Sequence, residues 1–198
     1  MAYLLIILFC SIVVTTINII TNPSQIGFYW YIIAIVAYIF LAVIFDGIVA
    51  FIIRKLPEKW FDENKKIFTL SKKEKKLFEF LGIKKWKDYV PDLGSFTNFS
   101  KGKIEQPKSN TYLKRFMLEA SYGIMIHYVS IPISYLLLLI NYPNTTLFLT
   151  VGLPVAFVNS ILILLPALTL KYNLSKIKVL YKRNERNELN SLKKDAQQ

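Results

Sequence analysis

The sequence predicts an all-α integral membrane protein with four transmembrane helices, a basic cytoplasmic insert and amphipathic interfacial helices. Of its 198 residues 54% are hydrophobic, and the mean hydropathy is +0.38 despite a net charge of +12. All 25 Lys and Arg residues lie in 54–115 or 171–194, which leaves long apolar runs between them. Four of these runs reach the roughly 18 to 20 apolar residues that a bilayer crossing requires.

The predicted spans lie at 3–20, 27–53, 123–140 and 147–170 of a single membrane domain. The turns 21–26 and 141–146 between paired spans contain no charged residue. Since Lys and Arg accumulate in cytoplasmic loops, the basic insert 54–118 and the basic tail 171–198 are expected inside. This predicts a multi-pass protein of a bacterial plasma membrane with both termini in the cytoplasm.

The first two spans contain few polar features. A cleaved signal peptide is disfavoured for the first, because no basic residue precedes its apolar run and no small-residue cleavage pattern follows. Its Cys10 is alone in the chain and is expected to be a small apolar residue. In the second span, Asp46 falls near the inner boundary. It is either a boundary carboxylate, paired with Arg54 or Lys55, or a partner for His127.

The insert contains a short predicted helix. Ser71 and Glu74 have capping-box spacing at its start, and Gly82 can end it. The pattern places Leu77, Phe78 and Leu81 on one apolar face, with lysines on the others. We therefore expect the helix to lie in the headgroup layer of an anionic bilayer, where each cation contributes about 1 kcal/mol.

A lysine-rich loop containing Trp86, Lys87 and Asp88 follows, and its polar continuation extends to Lys103. Such a loop either rests on lipid or binds an anionic group, such as the phosphates of an acyl carrier, with Trp86 covering an apolar part. Nucleic acid is not an expected partner, because lysines beside a membrane already have lipid phosphate.

The helix that enters the third span contains Glu119 and His127. Eight residues separate them, which corresponds to about 80° around the axis and about 12 Å along it. They therefore do not form a hydrogen-bonded dyad, although both can contact one bound molecule. Gly123 between them leaves a groove for a substrate chain or another helix. His127 is either a satisfied structural histidine or a general base.

The fourth span contains two prolines, Pro154 and Pro166, which predict a kink or a broken segment. Asn159 is expected to form an interhelical hydrogen bond. After the span, Leu174, Ile177, Leu180 and Tyr181 recur at helical spacing, which predicts an interfacial helix in the tail.

Motifs for other chemistries are missing from the sequence. It contains no GxSxG, zinc-ligand, Walker or dinucleotide-binding pattern, and only one His and one Cys. We expect no protein metal site and no bound cofactor. The chemistry that remains is an acid/base step through His127.

Several segments together resemble a known family. They are Leu56-Pro57 with Phe61, LGIKKWKDYVPDLGSF, FSK, FMLEASYGIMIHY, Pro166 and Lys171-Tyr172-Asn173. This order is similar to that of the glycosyl-4,4'-diaponeurosporenoate acyltransferases, small bacterial membrane enzymes of carotenoid glycolipid synthesis. The resemblance runs from about Leu56 to Arg183.

The resemblance implies transfer of a fatty acyl group from acyl-CoA, or another acyl thioester, to the primary hydroxyl of a sugar on a lipid-soluble glycoside. It implies catalytic roles for His127 and Glu119. The matched motifs imply substrate binding by Trp86, Lys87, Asp88 and Asn173. Asp46, the carboxylate of the second span, is added to these substrate-binding residues. The implied partners are the anionic bilayer, the acyl donor and the glycolipid acceptor.

One position departs from the family pattern. Ile124 stands where the family has a second glutamate, three residues before the histidine. Either Asp46 or Asn159 then supports His127 as the base, or His127 is a weaker base. Otherwise the protein has another substrate or no activity. The alternatives are a catalytically silent membrane scaffold or lipid-binding subunit, and a transferase or reductase acting on another isoprenoid lipid.

Overall fold

A computed structural model of the chain describes residues 2–21, 27–90, 104–136 and 145–195, and in these ranges it contains helices and turns without β-strands. The α-helices are α1 (Ala2–Thr21), α2 (Phe28–Lys55), α3 (Lys72–Phe80), α4 (Ile83–Trp86), α5 (Asn110–Leu136), α6 (Thr145–Leu147) and α7 (Leu153–Asp195). Short 3-10 helices occur at Glu58–Phe61 and Lys87–Tyr89, and a π-helix at Phe148–Gly152.

The chain divides into two compact units. The first comprises Met1–Lys55 and Met125–Leu165, and the second comprises Leu56–Ile124 and Pro166–Gln198. Helices α5 and α7 therefore contribute residues to both units. The expectation of a single membrane domain stays a prediction.

Three helical segments of the described chain are long and apolar enough to cross a bilayer: Leu4–Thr21, Phe28–Lys55 and Phe148–Asp195. They contain most of the first, second and fourth predicted spans. The third predicted span, 123–140, ends in residues that lie outside the described ranges. Most residues of both predicted outer turns also lie outside these ranges. Four spans, the cytoplasmic insert and the sidedness of the termini stay predictions.

The first unit buries narrow helix faces and exposes apolar ones. On α1, Ile7, Ser11 and Thr15 are buried at a spacing of four residues, whereas most of its other described side chains are at least partly exposed. The core combines α1, α2, the π-helix and the start of α7, with Ile7, Tyr31, Ile35, Tyr38, Ile39, Val151, Val155, Ala156 and Val158 as its buried members. Exposed apolar side chains of this kind suit a hydrocarbon solvent.

Polar side chains join the helices of the first unit. Asn159 Nδ2 on α7 donates to Ser134 Oγ on α5 at 2.9 Å, and Asn18 Nδ2 on α1 donates to the carbonyl of Leu149 at 3.0 Å. Both Asn159 and Ser134 are buried. The predicted interhelical hydrogen bond of Asn159 is thereby confirmed.

The fourth span is irregular at one of its two prolines only. Helix α7 continues through Pro166, so the chain is not broken there. The π-helix Phe148–Gly152 instead precedes Pro154. Because Pro154 has no N–H and its ring clashes with the carbonyl four residues earlier, the preceding turn widens.

The second unit has an aromatic core. Phe61 and Tyr122 have ring centroids 4.4 Å apart, and Phe61 also contacts Phe68 at 6.4 Å. From α7, Leu174 and Ile177 are buried in this unit. The apolar stripe from Leu174 to Tyr181, which predicted an interfacial helix in the tail, is therefore part of α7. Its residues Leu174 and Ile177 pack inside the protein because the second unit supplies an apolar surface.

Helix α3 begins with the predicted capping box. Glu74 N donates to Ser71 Oγ at 3.2 Å, and Ser71 N donates to Glu74 Oε2 at 2.8 Å. Gly82 follows the helix at φ +63°, which confirms its role as the terminator. The predicted apolar face is divided, however: Phe78 is buried, whereas Leu77 and Leu81 are exposed.

Glu74 also makes an ion pair. Its Oε1 accepts from Lys171 Nζ at 2.6 Å, and the Lys171 side chain is only 5% exposed. Burial alone would raise the pKa of Glu74, but the Lys171 ammonium and the Ser71 hydrogen bonds lower it below its ordinary value of 4.5. The pair fixes α3 to α7 within the second unit.

Removal of the interhelical hydrogen bond should cost little. We expect a double-mutant cycle of Asn159→Ala and Ser134→Ala to give a coupling free energy of about 0.6 kcal/mol, and at most about 1.7 kcal/mol, because unfolded segments in a membrane also find partners. Unfolding in SDS measures it. A coupling free energy of zero would contradict the hydrogen bond.

Glu74→Gln should destabilise the protein by about 1–2 kcal/mol, because it removes the charge that compensates the buried Lys171 ammonium, while the exposed side of the pair is screened by solvent. The double variant Glu74→Gln/Lys171→Met should recover part of this loss, and unfolding in SDS compares the two. The pKa of Glu74 in the folded state is lower than its ordinary value of 4.5. The stability that the ion pair provides is therefore fully present above pH 4.5 and is lost as the pH falls through the lowered pKa. The difference between wild type and Glu74→Gln should therefore shrink below pH 4.5, and a constant difference would contradict the pair.

Candidate functional site

A row of polar side chains follows one face of α5 in the first unit. His127, Ser130 and Ser134 are three and four residues apart, so they lie on the same side of the helix. His127 is half-buried, and both serines are buried. His127 therefore belongs to the same face that carries the hydrogen bond to Asn159.

Asp46 reaches this row from α2. Its half-buried carboxylate lies close to the Ser130 side chain, one helical turn beyond His127. The Ser130 side chain is buried, and its hydroxyl is the group of α5 that faces the Asp46 carboxylate. Both interpretations of Asp46, a boundary carboxylate paired with Arg54 or Lys55 and a partner for His127, stay predictions, as does substrate binding by Asp46.

Pro132 is a residue that the sequence pattern did not single out. This residue lies inside α5 and has no N–H to donate to the carbonyl of Tyr128, four residues earlier. The backbone carbonyl next to His127 thus lacks its usual helical donor. The proline is visible in the sequence, but its effect depends on α5 continuing through it.

Glu119 lies on α5 in the second unit and is half-buried. Near it, a Cβ added to Gly123 would lie 2.7 Å from Leu170 Cδ1. The space beside Gly123 is therefore used by a side chain of α7. Of the two predicted uses of this groove, close approach of another helix is the one observed.

Ile124 is fully buried, with 0% exposure, in the second unit. The position at which the family resemblance implies a second glutamate is consequently an apolar packing site in this chain. A carboxylate introduced here would lose its hydration. Any negative charge that supports His127 must come from another position.

The loop residues are partly engaged with each other. Trp86 Nε1 donates to the carbonyl of Leu81 at 2.9 Å, which ties the indole to the end of α3. Lys87 Nζ and Asp88 Oδ1 are 2.6 Å apart, with Asp88 exposed and Lys87 mostly buried. The ammonium of Lys87 is thus already compensated. The remainder of the predicted anion loop, 91–103, lies outside the described residues.

The predicted site residues fall into two groups. Asp46 and His127 belong to the first unit, where the structure places Asp46 beside the His127 face. The second group belongs to the second unit and consists of Trp86, Lys87, Asp88, Glu119 and Asn173, of which Asn173 is half-buried on α7. Among the described residues, no cluster of three or more His, Cys, Asp or Glu side chains is arranged to hold a metal ion.

The family model of the glycosyl-4,4'-diaponeurosporenoate acyltransferases matches residues 57–183. The chain belongs to this family. Comparison with curated proteins and with solved structures gave no match. The segment matched by the acyltransferase family contains every predicted site residue except Asp46, and it also contains Ser130 and Pro132.

Proposed function

We propose that the protein is a membrane acyltransferase that esterifies a sugar hydroxyl of a glycosylated carotenoid, or of a similar isoprenoid glycolipid, with a fatty acyl group. Membership of the acyltransferase family supports the reaction class. The observation that carries the proposal is the polar face of α5, where His127 and Ser130 share one side and Asp46 approaches it.

In this proposal His127 acts as the general base. Its imidazole removes the proton of the sugar hydroxyl while the hydroxyl oxygen attacks the thioester carbonyl. The tetrahedral intermediate then collapses, the carbon–sulfur bond breaks, and the imidazolium returns the proton to the departing thiolate. An ester and a free thiol result, and no oxidant or reductant is required.

Asp46 and Ser130 support this step. A carboxylate near the forming imidazolium favours the charged state, which is the role that Ile124 cannot perform. The Ser130 hydroxyl, one turn from His127 on the same face, is suited to orient the Asp46 carboxylate. Tyr128 provides a backbone carbonyl that Pro132 leaves without its helical donor.

The acyl donor is proposed to be acyl-CoA or another acyl thioester from the cytoplasm, with no bound cofactor. Lys84 and Lys85 are exposed beside Trp86, whereas Lys87 is paired with Asp88, so the first two are better suited to donor phosphates. Glu119 is assigned to sugar positioning, and the family resemblance assigns Asn173 to substrate binding. This arrangement assumes a multi-pass protein in a bacterial plasma membrane with both termini inside.

One observation favours a second candidate. The buried Ile124 replaces a family carboxylate, and this suits a catalytically silent scaffold or lipid-binding subunit that kept the family fold. Purified wild-type protein, supplied with acyl-CoA and a glycosylated carotenoid, discriminates the two by mass spectrometry of the lipids. An acylated glycolipid excludes the silent scaffold.

Replacement of the base should abolish most of the turnover. We expect His127→Ala to lower the rate of ester formation about 100-fold or more, because general-base catalysis contributes at least this factor. Ile126→Ala, at the preceding half-buried position of α5, is the matched control and should retain most of the activity. Equal rates for wild type and His127→Ala would contradict the assignment.

A further inference from the structure

Helix α3 exposes a large apolar surface in the second unit. Phe80 is 87% exposed, Leu77 51% and Leu81 43%. At 100° per residue these three side chains fall within an arc of about 100°, so they form one continuous face. The buried side of the same helix is occupied by Phe78. The exposed side is therefore not part of the core of this unit.

Lysines lie within and beside this face. Lys73 lies inside the arc of the three apolar residues, Lys76 lies about 40° beyond its edge, and both are exposed. Lys84 and Lys85, which follow the helix, are also exposed. An apolar face with cations in it and beside it matches an anionic leaflet, because lysine stems can follow the apolar surface while their ammonium groups reach lipid phosphates.

The second unit also fixes the rotation of α3 about its axis. One oxygen of Glu74 accepts from the backbone of Ser71 and the other accepts from Lys171 on α7. With Phe78 buried on the adjacent side, the helix cannot turn Phe80 inward without breaking the ion pair. Exposure of the apolar face is therefore an enforced property of the fold.

We propose that the face formed by Leu77, Phe80 and Leu81, with Lys73 and Lys76, docks into the headgroup and acyl boundary of an anionic membrane leaflet. The occupant is lipid because the face combines apolar area with cations and belongs to a chain whose α2 is a candidate membrane span. This membrane contact does not depend on acyl transfer, so it survives if the proposed reaction is wrong.

Spin labels on neighbouring residues of α3 test the proposal. The full chain with Cys10→Ala contains no other cysteine, so Phe80→Cys and Glu79→Cys each provide a single labelling site. Glu79 is exposed and lies about 150° from the centre of the apolar face, which makes it the matched control. Leu77→Cys and Lys75→Cys form a second pair in case one variant fails to fold.

The labelled proteins are reconstituted in nanodiscs that contain phosphatidylglycerol, and power saturation is measured with oxygen and with a water-soluble nickel chelate. We expect the Phe80 label to be accessible to oxygen and protected from nickel, and the Glu79 label to show the reverse. In phosphatidylcholine nanodiscs the protection of the Phe80 label should decrease.

Three outcomes overturn the proposal. Equal access of nickel to both labels places the face in water. Protection of the Phe80 label from oxygen as well as nickel shows that protein covers it, for example a second copy of the chain. Identical protection in both lipid compositions excludes recognition of anionic lipid by the lysines.

Discussion

The first unit depends on one constraint, which is that hydrocarbon offers no hydrogen bonds to polar groups. Its polar side chains therefore turn toward neighbouring helices: Asn159 contacts Ser134, and Asn18 contacts the backbone of Leu149. His127 lies on the face of α5 that carries Ser134. The same face carries the buried Ser130 hydroxyl, which the Asp46 carboxylate approaches from α2.

The second unit combines aromatic packing and a charged pair in a small core. Phe61 packs against Tyr122, while Glu74 joins the start of α3 to Lys171. Glu74 acts twice, since the carboxylate that completes the capping box also neutralises a buried ammonium. This double use explains how a short lysine-rich helix holds a defined rotation, with Phe78 inside, although its own helix propensity is modest.

Local patterns in the sequence predicted local features well. Apolar runs predicted four spans, three helical segments of the described residues are long and apolar enough to cross a membrane, and Ser71, Glu74 and Gly82 predicted both ends of α3. Periodicity could not decide whether Phe78 or Leu77 is buried, because that depends on a surface supplied by distant residues. For the same reason the partners of Lys171 and Asp46 were not predictable, and the stripe around Ile177 was assigned to lipid although it packs inside. Family membership followed from ordered motifs, whereas Ser130 and Pro132 acquired meaning only beside His127 in a continuous helix.

The most direct test of the account uses the single histidine of the chain. Selective ¹⁵N labelling of histidine gives one imidazole, whose two nitrogen resonances can be followed by NMR in nanodiscs. We expect the glycosylated acceptor to shift the resonance of the unprotonated nitrogen, because the sugar hydroxyl donates to it, and a deoxy analogue lacking this hydroxyl to leave it unchanged. Unchanged imidazole resonances with saturating acceptor would contradict the central claim that His127 is the base.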